Sequence, residues 1–245
     1  MTGHLSASSI DVGVHPTVQF LGLTFNVDTM YTSTIAAVVL IVFLSWVGRR
    51  ATSKKPGKFQ LVVEAVLTQV RTYVQDAVGH DVPVWLVPLG FALFFFILFC
   101  NWFEWFPSGH HPERLAPPTA DINTTLALTV VVVFGYTYVG FKRMGWRYPG
   151  RWFTAKPPVV GTFIAIVIDQ IANPLALALR LFGNVLAGGI MLAVIGLLPA
   201  TWFWLYGPAN VGWKLFDAGL ILPIQAFIFA FLTILYFGFA LAEEH

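Results

Sequence analysis

The sequence predicts an all-α polytopic membrane protein of about five transmembrane helices and one amphipathic surface helix, with the last two helices long and tilted. Three observations carry this. The chain is 57% hydrophobic and 11% charged, whereas a soluble domain carries about 25% charged residues. Its mean hydropathy is +0.75, more apolar surface than one aqueous core can bury. Its apolar runs are of membrane-spanning length, since a span needs roughly 20 residues, and loops rich in Lys, Arg or Pro divide them. The 245 residues suit a single membrane domain over 1–245.

The elements follow in order. Residues 1–26 form an outside N-terminal segment with neither a basic nor an apolar signal-peptide region. The first span runs from about Val27 to Val47 and ends in Arg49, Arg50, Lys54, Lys55 and Lys58. Over 59–79 apolar positions interleave with Glu64, Gln69, Arg71, Gln75 and Asp76, the pattern of an amphipathic helix on the cytoplasmic side. The second span covers about Val84–Phe106, closing on the interfacial Trp102 and Trp105. A loop of four prolines (107–120) leads to the third span, about Ile122–Phe141. A second basic loop follows, with Lys142, Arg143, Arg147, Arg151 and Lys156. Long apolar runs then cover 158–198 and 211–242.

The two basic loops hold ten of the fourteen Lys and Arg residues. Basic loops stay on the cytoplasmic face, so both lie inside, the N-terminus outside and the C-terminus inside.

As one helix, 158–198 is roughly 60 Å long, against a hydrocarbon core of about 30 Å. It is either a hairpin broken near Asn173–Pro174 or one oblique helix kinked at Pro174. A hairpin leaves a short first arm, so one tilted helix is the reading adopted. The last run is long in the same way.

Ionisable groups at membrane depth cost about 2.5–3.5 kcal/mol on insertion scales and face protein or a water path. The deep ones are Asp169, Arg180 and Asp217; Glu104, Asp121 and Lys214 lie nearer span ends. Neutral candidates are Asn123, Asn173, Asn184 and Gln225. In an unbroken α-helix Asp169, Asn173, Arg180 and Asn184 share one face. Arg180 lies about 16 Å from Asp169 by helical rise, so it has no carboxylate within reach on its own helix. Its charge is either paired with an acid such as Asp217 or faces a partner or a water path. Ala176, Ala178, Gly183, Ala187, Gly188 and Gly189 around it serve internal packing or the close approach of another helix.

Cys100, the one cysteine, reads as a core residue. His110, His111 and Glu113 read as a solvated loop, so no metal and no cofactor is expected. No glycine-rich phosphate loop is present, which assigns nucleotide chemistry to other chains and makes this one no enzyme. Nothing points to nucleic acid.

PLALALRLFGNVLAGG (Pro174–Gly189) resembles subunit a of the F-type ATP synthase. PPTADINTTLALT (Pro117–Thr129) and IQAFIFAFLTILYFGFALAEEH (Ile224–His245) are similar to two further blocks of that family, in its order and spacing. The resemblance weakens before Pro83. It implies a five-span subunit in a bacterial plasma membrane, with its last two helices tilted against a ring of c subunits. Further partners would be the peripheral-stalk b subunits and the rest of the synthase. It implies that Arg180 is the essential arginine facing the proton-carrying carboxylate of each passing c subunit. With the topology above, Asp169 and Asn173 would line an inner half-channel. Asp121, Asn123, Asn184, Asp217 and Gln225 would line an outer one. This chain departs from the family pattern at Ile166, where many relatives carry an acid, and at Gly189, where some carry glutamate. The rival readings are a stand-alone ion channel or secondary transporter and a purely structural membrane subunit; no internal repeat, frequent in transporters, supports the transporter.

Overall fold

The computed structural model describes residues 17–20, 23–52, 56–78, 83–105, 117–145, 148, 163 and 167–241. Five of its helices are long and apolar enough to cross a membrane. The chain enters through an antiparallel pair, β1 (Thr17–Phe20) and β2 (Leu23–Asn26), in register Thr17↔Asn26 to Phe20↔Leu23. Among the described residues this hairpin is the one pair of strands, and the all-α reading of the sequence has no place for it.

Helix α1 (Val27–Arg50) has Asp28 in its first turn and Arg49 and Arg50 in its last, charges that oppose the helix dipole at both ends. The Thr32 and Thr34 hydroxyls donate to the Asp28 and Met30 carbonyls, each at 2.8 Å, so they cost little at membrane depth. Helix α2 (Lys58–Val78) buries Val63, Val70 and Val74 and exposes Arg71, Gln75 and Asp76. Helix α3 (Leu86–Trp102) is apolar all round and sits centrally, against α1, α2 and the last helix. Phe43 of α1 packs on Phe95 and Phe99 at 4.8 and 5.6 Å between ring centres. A short 3-10 turn, Phe103–Trp105, ends this span. Another, Pro118–Ala120, leads into α4 (Ile122–Met144).

Helix α5 consists of a π-helical turn, Ile168–Ala172, and an α-helical run, Asn173–Gly196. Helix α6 consists of Phe203–Phe216, a π-helical turn Asp217–Ile221, and Leu222–Leu241. Both pass through proline without breaking, and the π-turns explain how. Each proline lies two residues past its turn, as Pro174 and Pro223. A proline ring clashes with the carbonyl four residues back and offers that carbonyl no N–H. The widened turn takes up the clash, with Asn173 N–H donating to the Ile168 carbonyl and Leu222 N–H to the Asp217 carbonyl. The break weighed at Asn173–Pro174 is therefore absent: α5 continues through it. The 24-residue run Asn173–Gly196 is alone roughly 36 Å long. The 38 residues Trp204–Leu241 extend roughly 57 Å. Both exceed the ~30 Å hydrocarbon core. Helix α6 begins at Phe203, before the expected Val211, and holds Pro208 inside it.

The core gathers Val74, Leu86, Ile97, Leu181, Phe229 and Phe237 where α2, α3, α4 and α5 meet α6. Gly90 and Gly140 are the tightest points. A Cβ at Gly90 would meet the Ile234 side chain where α3 packs on α6.

Candidate functional site

The polar residues of α5 and α6 separate into an outward-facing charge and a buried seam. Arg180 is exposed. Among the described residues no hydrogen bond or ion pair reaches it, Asp217 included. Leu177, Ala178 and Leu181 beside it point inward and are buried. A 3.6-residue repeat that buries 177, 178 and 181 turns 176, 179, 180 and 183 outward. The small residues around Arg180 divide accordingly. A Cβ added at Gly183 or Gly189 meets nothing within 4 Å, and Ala176 and Ala187 are exposed. Only Ala178 and Gly188 serve packing within the chain.

Gly188 is where the seam closes. A Cβ there would lie 2.9 Å from Glu104 Oε1 and 3.3 Å from Asp217 Oδ2. Carboxylates from α6 and from the turn after α3 thus converge on a glycine of α5. Lys214 lines the same crevice. Asp217 is only 5% exposed. It opens the π-turn of α6, and the turn also fixes what holds it. Leu222 N–H is spent on the Asp217 carbonyl and Pro223 has none to give. The Ala218 carbonyl therefore takes its hydrogen bond from outside the helix, from the Trp102 indole N–H at 3.3 Å.

Asn184 lies one turn from Gly188 and is half-buried; Gln225 is buried. The Nδ2 of Asn184, the Nε2 of Gln225 and the Nδ2 of Asn101 are buried without a hydrogen-bond partner among the described residues. By helical rise both Gln225 and Arg180 lie about 12 Å from the level of Gly188 and Asp217.

The remaining predicted residues fall elsewhere. Asp121 is buried at the N-cap of α4, accepting from Asn123 N–H at 2.9 Å through one oxygen and from Asn26 Nδ2 at 2.6 Å through the other. It pins the end of β2 to the start of α4. Asn123 is exposed and Asn173 half-buried. Asp169 sits in the π-turn of α5. The turn's extra residue shifts its phase from the unbroken helix assumed for a single polar face, by roughly 100°. His110, His111, Glu113 and His245 lie outside the described residues.

Sequence reasoning passed over Glu104 as a span-end residue. No local signal links it to Asp217, 113 positions away; helix packing alone brings them together.

A largely helical chain with five apolar spans among its described residues, a buried polar seam and Arg180 turned outward on a span is a multi-pass membrane protein. The sequence profile described as ATP synthase A chain matches residues 30–238. The ATP synthase subunit a of Acidothermus cellulolyticus is 43% identical, over 98% of this chain and 86% of its own length. That of Mycobacterium marinum is 38% identical over 100% of both chains. That of Coxiella burnetii (strain RSA 331 / Henzerling II) is 32% identical over 91% of this chain and 87% of its own. The chain belongs to the ATP synthase A chain family, a family of non-catalytic membrane subunits.

Proposed function

We propose that this chain is the stator subunit that leads protons to and from the carboxylates of a c-subunit ring in a bacterial plasma membrane. It would be held by peripheral-stalk b subunits, with its N-terminus outside and its C-terminus in the cytoplasm. Arg180 divides the two paths. The observation that carries this reading is Arg180 itself, exposed on a span with no partner among the described residues. Such a charge is too costly to leave facing lipid, so a carboxylate must come to it from another chain. The open faces of Gly183 and Gly189 leave room for that chain to come close.

A guanidinium keeps its charge and favours the ionised form of a nearby carboxylate. A ring carboxylate arriving at Arg180 therefore gives up its proton, and cannot carry it past. The outer path runs by Glu104 and Asp217 to Asn184 and Gln225, whose buried amide donors can hold water or a proton carrier. Asp121 and Asn123 stand at its mouth. The inner path runs by Asp169 and Asn173. Each proton falling through the full potential supplies about 2.3 kcal/mol per 100 mV, which turns the ring.

The test is Arg180→Ala in the assembled complex. Loss of ATP-driven proton pumping, with all subunits still co-purifying, is expected. Normal proton-coupled ATP synthesis in that variant refutes the reading.

A further inference from the structure

Away from the polar seam, at the opposite end of the bundle, α4 finishes on Lys142 and Arg143. Two cations at a helix C-terminus answer its dipole and need no ligand. Here they also line a cavity of about 420 Å³, together with Trp85, Tyr138, Val139 and Leu241. Three elements make it: the start of α3, the end of α4 and the end of α6. Because α3 starts where α4 and α6 stop, all three reach the same membrane–water interface at this point.

The cavity is chemically two-sided. Tyr138 stands one helical turn before Lys142, toward the bilayer interior, and is 67% exposed; Trp85 is 43% exposed. The Trp85 ring is braced edge-on by Phe237 at 5.4 Å. Trp and Tyr favour the headgroup level of a bilayer, and Val139 and Leu241 continue the apolar wall. Cations at the rim and an aromatic and aliphatic wall below match an anionic headgroup above an acyl chain. Basic pockets between spans take such lipids.

We propose that this cavity is a binding site for one anionic diacyl phospholipid, its phosphodiester held by Lys142 and Arg143 and one acyl chain laid along Tyr138 and Val139. Charge decides the occupant: a zwitterionic lipid brings a compensating cation to the same rim, and free phosphate brings nothing for the apolar wall.

The whole synthase carrying this chain is purified in mild detergent, and lipids retained per complex are counted by native mass spectrometry after exchange into phosphatidylglycerol, phosphatidylcholine or millimolar inorganic phosphate. The parent complex is expected to retain one more phosphatidylglycerol than the complex with Lys142→Gln. A near-surface cation contributes about fivefold to such binding, so Lys142→Gln and Arg143→Gln together weaken it by about 25-fold. Lys142→Arg restores it. Tyr138→Ala weakens it with both charges kept. Equal retention by parent and double variant, equal retention of phosphatidylcholine, or displacement by inorganic phosphate overturns the proposal. So does a gain in retained lipid with Glu243→Gln and Glu244→Gln, which would make the acidic C-terminus the occupant. Co-purification of every other subunit shows that each variant has folded.

Discussion

Replacing Gly188 by alanine places a methyl group against the two carboxylates of the seam. The new Cβ would lie 2.9 Å from Glu104 Oε1, 3.3 Å from Asp217 Oδ2 and 3.7 Å from Asp217 Cγ. The first contact is too short, so the Glu104 carboxylate must retreat by a few tenths of an ångström. Overpacking of this kind costs about 1–3 kcal/mol. Alanine returns about 1 kcal/mol of helix propensity over glycine, leaving a net loss of about 0–2 kcal/mol. The chain therefore still inserts and assembles. Proton transfer is more sensitive than folding, because it depends on the distance between the groups. A barrier raised by about 1.4 kcal/mol slows it about tenfold. The assay is ATP-driven acidification of inverted membrane vesicles, followed by quenching of a pH-sensitive dye. Glu104→Asp withdraws the crowded oxygen by about 1.5 Å, one carbon–carbon bond. It should restore part of the rate when combined with Gly188→Ala, though it lowers the rate alone. Pumping at the parental rate by Gly188→Ala, or strictly additive losses in the pair, refutes the claim that these groups act together.

Three further outcomes follow from the packing. Trp102→Phe leaves the buried Ala218 carbonyl without its donor and should cost about 1–3 kcal/mol, read as a lower Tm of the solubilised complex. Adding Pro223→Ala supplies an N–H and should recover part of that loss. Asp121→Ala removes both a helix cap and the Asn26 contact and should cost about 1–2 kcal/mol, whereas Asp121→Asn keeps most of the cap; thermal aggregation of the purified complex compares them. Phe229→Ala, at a position with no exposure, should cost about 3–5 kcal/mol and reduce the amount of chain in membranes.

The spans and the amphipathic α2 were legible in the sequence because each rests on local periodicity; whether Arg180 pairs with Asp217 or faces outward was not. Val63, Val70 and Val74 repeat on one face of α2, and Leu177, Ala178 and Leu181 on one face of α5. What was not legible depends on chain segments far apart or on backbone adjustment. Pro174 and Pro223 mark places where a helix should stop, and pattern alone does not reveal that a π-turn carries it through. The α5 turn also interrupts the 3.6-residue count between positions 169 and 180, which the sequence pattern cannot anticipate. Glu104 joins Asp217 only through the packing of three helices. Asp121 is different: an acid immediately before an apolar run is a helix-cap signal. That signal was present in the sequence and was not used.

The face around Arg180 is the central claim, and disulfide trapping tests it directly. In complexes with Cys100 replaced by serine, single cysteines go in place of Ala176, Gly183 or the buried Leu181. A partner cysteine stands one helical turn from the ring carboxylate. Rapid cross-linking to the ring from 176 and 183, with none from 181, is predicted. Failure of both 176 and 183 to reach the ring while the complex still pumps protons contradicts the account.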